Sequence, residues 1–248
     1  VEAPAARRRP AHRPVDAIMA QKERRIAPVT RSREQARRAY DRTSRWYDLL
    51  AGGIEARYRN AALEMLAAVR GDVVLELGFG SGHAVAALAA AVGRAGRVYG
   101  VDISARMVAV ARSRAGSAGL AERVCLQQGD ALRLPYQSAV FDKIFMSFVL
   151  ELFDTPEIPA VLRECYRTLR PGGRICVAAL SRQGGSRLMT RLYERVHEKL
   201  PQYFDCRPIY AQSALEQAGF RTLSRREMPL LGLCVELVLS QRSPAAVP

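Results

Sequence analysis

The stretch that most constrains this chain is Val73-Val74-Leu75-Glu76-Leu77-Gly78-Phe79-Gly80-Ser81-Gly82. Apolar residues and one carboxylate run straight into three glycines at alternate positions. An apolar run of this length closed by glycine reads as a buried parallel strand. The residues that follow, Ala84 to Val92, are rich in Ala, Leu and Val and read as a helix. The glycines therefore sit at a strand-to-helix turn, where an open α/β sheet binds its ligand. Glycine suits that place because it takes positive φ and lets a ligand approach the backbone. A second apolar strand, Arg97-Val98-Tyr99-Gly100-Val101-Asp102, ends in a carboxylate about 20 residues past the glycines, where a ribose hydroxyl pair would be held.

These two elements fit either a dinucleotide or an adenosyl ligand, and the glycine spacing separates them. A dinucleotide fingerprint places its third glycine at the sixth position of G-x-G-x-x-G. Counted from Gly78, that position is His83, and the loop holds no Lys or Arg to face a pyrophosphate. The spacing instead resembles the first motif of the class I S-adenosylmethionine-dependent methyltransferases, E/D-x-G-x-G-x-G, matched by Glu76, Gly78, Gly80 and Gly82. Further features of that family follow in order: Gly129-Asp130-Ala131, Leu134-Pro135, Phe141-Asp142 and Leu169-Arg170-Pro171-Gly172-Gly173. The resemblance covers roughly residues 40 to 240. It implies a Rossmann-like, doubly wound α/β sheet of seven strands in the order 3-2-1-4-5-7-6, with the last strand antiparallel. It also implies S-adenosyl-L-methionine as cofactor and S-adenosyl-L-homocysteine as product.

The same resemblance assigns the cofactor site residue by residue. Glu76, Gly78, Phe79, Gly80 and Gly82 form the loop, and Asp102 faces the ribose. Ile103 and Met107 flank the adenine, Asp130 accepts from its amino group, and the Ala131 N–H faces a ring nitrogen. Ser147, just after the fourth strand, is also assigned to the cofactor, and Tyr47, in a Tyr47-Asp48 pair, approaches the methionyl part. Candidates for a catalytic base are Glu151, after the fourth strand, with His197 and Tyr47 on segments able to cover the site. No metal-ligand spacing is present.

Along the chain, 13 Lys/Arg and 5 Asp/Glu fall in the first 45 residues, about +8 of the net +14. Residues 1–30, with Pro4, Pro10, Pro14 and Pro28 among arginines, read as a disordered basic extension. Residues 31–242 read as the methyltransferase domain and 243–248 as a disordered tail. Within the domain, Ser32 caps an amphipathic lid helix carrying Tyr40, Trp46 and Tyr47, ended or interrupted by Gly52-Gly53. A helix from Ile54 to Val69 leads into the central strand. Ser104 caps a helix over Ala105–Arg114, and Val124–Gln128 and Phe141–Met146 are the third and fourth strands. Thr155 caps a helix with Pro156 at its first position. A Pro171-Gly172-Gly173 turn then leads into the fifth strand, Ile175–Leu180. Residues 181–208 form an insertion with a helical stretch from Leu188, followed by a helix over Gln212–Gly219. The last two strands, Phe220–Met228 and Leu231–Leu239, are joined through Pro229.

No apolar run reaches the length of a spanning helix, and five scattered cysteines argue against a zinc site or a disulfide framework. We therefore expect a cytoplasmic protein whose basic arm makes peripheral contact with an anionic membrane at its inner face. The pattern is most similar to the methyltransferase type 11 group, the ubiquinone/menaquinone C-methyltransferase-like enzymes. Those enzymes carry Leu-Arg-Asn after the fourth strand; here the residues are Ser147-Phe148-Val149-Leu150-Glu151-Leu152. The acceptor expected is small or lipophilic, a quinol-like ring carbon or oxygen. The alternatives are a phospholipid headgroup amine, or a non-catalytic cofactor-binding protein acting through its basic arm. A nucleic-acid substrate is disfavoured because no Asn/Asp-Pro-Pro-Tyr motif follows the fourth strand.

Overall fold

The computed structural model describes residues 52–199 and 206–244. The elements, in chain order, are α1 (Gly52–Leu66), β1 (Val73–Leu77), α2 (His83–Val92), β2 (Arg97–Asp102), α3 (Ala105–Ser117) and β3 (Val124–Gln128). There follow β4 (Phe141–Ser147), α4 (Ile158–Thr168), β5 (Leu169–Ser181), α5 (Arg187–Lys199), α6 (Ala211–Gln217), β6 (Phe220–Leu230) and β7 (Leu233–Arg242). The strands form one seven-stranded sheet in the order β3-β2-β1-β4-β5-β7-β6. β1 to β5 are parallel, and β7 runs antiparallel between β5 and β6. This is the expected doubly wound, Rossmann-like sheet. The lid helix, Tyr47, and the stretch Pro201–Asp205 of the insertion lie outside the described residues.

The apolar runs explain the layering. β1, β4 and β5 are buried on both faces, and each face has its own core. Val74, Phe145, Cys176 and Leu237 belong to one cluster, with Tyr58 and Leu66 of α1 and Val85 and Leu88 of α2. Leu75, Leu77, Ile144, Met146 and Val177 belong to the other, with Val161, Leu162 and Cys165 of α4 and Leu215 of α6. Alternate residues of one strand thus feed opposite cores.

Four local expectations are corrected. Gly52 and Gly53 lie in the first turn of α1, and α1 stops at Leu66 rather than Val69, where Ala67 turns to φ 50°. Thr155 is not a helix cap: α4 starts at Ile158, with Pro159 in its first turn. Residues 155–157 make a turn in which the Asp154 carbonyl accepts from the N–H groups of Glu157 and Ile158. Pro171-Gly172-Gly173 is not a turn before β5 but a bulge within it. Leu169 pairs with Phe141 and Arg174 with Lys143, so the intervening residues of β5 loop out beside Asp142 alone. Pro229 does not separate the last strands. It sits inside β6, and the hairpin turns at Leu231 (φ 47°) and Gly232 (φ 84°). β6 is an edge strand, where proline is tolerated. The Pro229 carbonyl accepts a 2.7 Å hydrogen bond from the Tyr58 hydroxyl of α1.

Candidate active site

The sheet order reverses between β1 and β4, and the loops beyond their carboxyl ends meet there. The three loop glycines serve three different ends. A side chain on Gly78 would strike Val149, in the segment after β4, at 2.5 Å. One on Gly82 would strike Ala111 of α3 at 2.6 Å, so this glycine lets α2 and α3 close on each other. One on Gly80 would meet nothing within 4 Å. All three have positive φ. Gly78 and Gly82 are therefore needed for packing, and Gly80 borders open space.

Asp102 ties this loop to β2. Its Oδ2 accepts from the Gly80 N–H and its Oδ1 from the Ser104 N–H, both at 2.9 Å. A carboxylate has about four acceptor positions and no hydrogen of its own, the chemistry that a pair of ribose hydroxyls calls for. Ser104 caps α3 as expected, its Oγ accepting from the Met107 N–H at 3.1 Å. The Asp102 carbonyl accepts from the Gly129 N–H at 2.9 Å, which brings the tip of β3 alongside. Ile103 is half-buried and Met107 buried on this side. Ala131 is buried at the start of the next loop, and Asp130 is half-exposed, its Oδ1 accepting from the Leu132 N–H. That loop is braced from below: Glu164 accepts from the Leu134 N–H, while Arg167 donates to the carbonyls of Tyr136 and Leu134 and pairs with Glu164 at 2.7 Å.

Glu76 is buried at 4% exposure, and its Oε2 has no hydrogen-bond partner. Burial pushes its carboxyl well above the usual carboxylate range, opposed by the positive charge of Arg59 on α1 and reinforced by Asp102. An orphaned buried carboxyl beside a loop that leaves open space at Gly80 fits a ligand bearing an ammonium group. Arg59 is a residue that sequence reasoning missed. Only its place on α1 marks it, and no spacing rule predicts that its charge reaches Glu76.

Phe79 turns its side chain into the core, where a side chain on Gly100 would meet its ring at 2.6 Å. Only its backbone faces the loop. Ser147 is half-buried at the end of β4, followed by Phe148 with φ 57°. A bulky residue in that region is unusual and marks a strained strand end. Glu151 is fully buried, and its Oε1 accepts from the Leu180 N–H at 3.0 Å. Nearby, Arg207 is 1% exposed and donates to the Thr155 hydroxyl at 2.9 Å and to the Phe153 carbonyl. Burial lowers the Arg207 pKa, and the charges of Asp154, Glu151 and Glu157 support it. His197 is buried on α5. The structure thus brings Glu76, Gly78, Gly80, Asp102, Ile103, Met107, Asp130, Ala131 and Ser147 to the carboxyl end of the sheet. Among the described residues, no cluster of His, Cys, Asp and Glu is arranged to hold a metal ion.

A family model for the methyltransferase domain matches residues 74–173. A 2-phytyl-1,4-naphtoquinone methyltransferase of Thermosynechococcus vestitus is 34% identical over 223 residues, covering 82% of this chain and 94% of that one. The chain belongs to the class I S-adenosylmethionine-dependent methyltransferases. The enzyme of the same name from Synechococcus elongatus is 37% identical over 135 residues, 54% of this chain and 57% of its own. A demethylmenaquinone methyltransferase of Lactobacillus johnsonii is 33% identical over 134 residues, 54% of each. The chain thus spans little more than half the length of several relatives it matches. Among solved structures, the [4+2]-cyclase SpnF superposes with a TM-score of 0.70 at 17% identity, covering 87% of this chain and 98% of that one. A SAM-dependent methyltransferase from Aquifex aeolicus superposes at 0.55 and 23% identity, covering 74% and 88%. These likenesses establish the fold. S-adenosylmethionine is the cofactor of the methyltransferase family, and the residues around Glu76 and Asp102 fit it.

Proposed function

We propose that the protein methylates a quinol-like ring of a lipophilic acceptor. The observation that carries this reading is the match along 94% of a relative named for a phytyl naphthoquinone. When bound, S-adenosylmethionine supplies a methyl group on a sulfonium, already an electrophile. The chain's own part is to hold, orient and dry the reactants. Glu76 takes the ammonium of the methionyl part and Arg59 its carboxylate. Asp102 takes the ribose hydroxyls. Asp130 and the Ala131 N–H read the adenine edge, between Ile103 and Met107. The strained backbone at Phe148 aims the end of β4, with Ser147, at the same crevice. A ring-carbon acceptor must also lose a proton. Glu151 is the carboxylate nearest in sequence to the end of β4 and is our candidate for that role, acting when the Leu180 N–H releases it.

The test is methyl transfer from labelled S-adenosylmethionine to a panel: demethylated quinols, phosphatidylethanolamine and small amines. Labelled quinol is the expected product. Labelled phospholipid alone would replace this reading with headgroup N-methylation. Cofactor binding with no labelled product across the panel would favour a non-catalytic role. Glu151→Gln should abolish turnover on the quinol while leaving cofactor affinity within about twofold, since its contacts lie outside the cofactor's.

A further inference from the structure

The outer face of α5 has a composition that burial does not explain. Leu188 is 74% exposed and Leu192 50%, with Arg191 and Arg195 exposed beside them. Positions 188, 191, 192 and 195 follow the i, i+3, i+4, i+7 rule and make one stripe of two leucines and two arginines. The opposite face is the one that packs: Thr190 and His197 are buried, and the Tyr193 hydroxyl donates to the Cys206 carbonyl at 2.8 Å. The β6–β7 hairpin tip continues the patch. Leu231 there is 82% exposed. The tip also abuts the start of α5: the Ser186 N–H donates to the Gly232 carbonyl at 2.9 Å, and a side chain on Gly232 would meet Met189, also exposed, at 2.9 Å.

We infer that this face, the outer side of α5 with the Leu231 tip, docks on an anionic lipid bilayer. Leucines set among arginines suit the headgroup boundary, where apolar side chains insert and guanidinium groups stay at the phosphates. Of the acidic side chains nearby, Glu194 is paired with Arg182 at 3.2 Å and Glu227 with Arg225 at 2.7 Å. The position is also apt. The hairpin tip lies beside Ser181, at the carboxyl end of β5, because Ser181 pairs with Cys234. The docking face is therefore on the same end of the sheet as the glycine loop, so a lipophilic acceptor leaves the bilayer on the side where the site opens. The purpose assigned to docking rests on the proposed lipophilic acceptor; the docking itself rests on the patch.

The experiment is co-sedimentation of the full chain with vesicles of phosphatidylglycerol and phosphatidylcholine, and with phosphatidylcholine alone. Binding should favour the anionic vesicles. Each arginine near such a surface is worth about fivefold in partitioning, so Arg191→Gln with Arg195→Gln should cost roughly twenty-fivefold. A Leu188→Ser, Leu192→Ser, Leu231→Ser variant should weaken binding to the same vesicles far more than it lowers the thermal midpoint, because these side chains are half exposed or more. Unaltered partitioning in both variants overturns the inference and leaves any binding to other basic segments. Dimers in sedimentation velocity that the triple serine variant dissolves would mean that a second copy covers the patch, and would also overturn it. Turnover on a detergent-solubilised quinol is the separate readout. If it is absent while both variants lose vesicle binding, docking stands and the quinol reading fails.

Discussion

The Asp102 carboxylate accepts the Gly80 N–H at 2.9 Å, so the residue proposed to hold the ribose also holds the glycine loop in place. Asp102→Ala should therefore do two things. It removes an acceptor from two backbone N–H groups, a cost of about 1–3 kcal/mol for each left unsatisfied. It should also weaken S-adenosylmethionine binding by about ten- to a hundredfold, since a charged acceptor contributes about 1.5–3 kcal/mol. Asp130→Ala should weaken binding with a smaller stability loss, because the bond its Oδ1 accepts from the Leu132 N–H is local to one turn. Thermal melts with and without cofactor separate the two. Affinity unchanged from the wild type in both variants would place the adenosine elsewhere.

Gly80 and Gly82 should respond in opposite ways to alanine. Gly82→Ala drives a methyl into Ala111 and should lower the melting temperature sharply. Gly80→Ala meets no atom and carries only the left-handed backbone cost of about 1–2 kcal/mol. Its main loss should be in cofactor affinity. Isothermal titration and melts on the two variants check this; a Gly80→Ala protein that binds normally would show that the ligand does not approach there.

Glu76 predicts a pH linkage. Burial raises its pKa in the folded protein, so the stability it contributes is full below the unfolded carboxyl pKa and is lost as pH rises through the folded value. An ammonium ligand favours the charged form, so cofactor binding should release a proton and tighten as pH rises through that window. Titration calorimetry in buffers of different ionisation enthalpy should detect the proton, and Glu76→Gln should abolish both effects. A proton count near zero in the wild-type protein would mean that Glu76 does not face the ammonium.

The strands of the sheet were legible because their apolar runs are long and closed by Gly or Asp, as at Val73–Gly82 and Arg97–Asp102. The misread places share a cause: residues that usually break structure were held inside it by partners far along the chain. Pro171-Gly172-Gly173 reads as a turn, yet Leu169 is already paired with Phe141 before it. Pro229 reads as a strand break, yet the Tyr58 hydroxyl, 171 residues earlier, donates to its carbonyl. Thr155 reads as a cap, but its hydroxyl accepts from Arg207, which arrives from beyond α5. That the loop glycines and Asp102 lie together at the carboxyl ends of β1 and β2 was legible. The nearness of Arg59 to Glu76, and the burial of Arg207, depend on how α1 packs on the sheet and on contacts between two loops, which no local pattern encodes.

The hydrogen bond from Tyr58 to Pro229 has a consequence for how this protein meets its own copies. An edge strand is a template for another strand, because its outward N–H and C=O groups lack partners. At Pro229 the outward carbonyl is taken by the Tyr58 hydroxyl, and the ring nitrogen on the same side carries no hydrogen to donate. A second chain laid along β6 would find one missing donor and one capped acceptor at the same position. The residue that looked like an interruption of the sheet is a stop against its extension, and replacing it with Val should open that edge to fibrous or amorphous association.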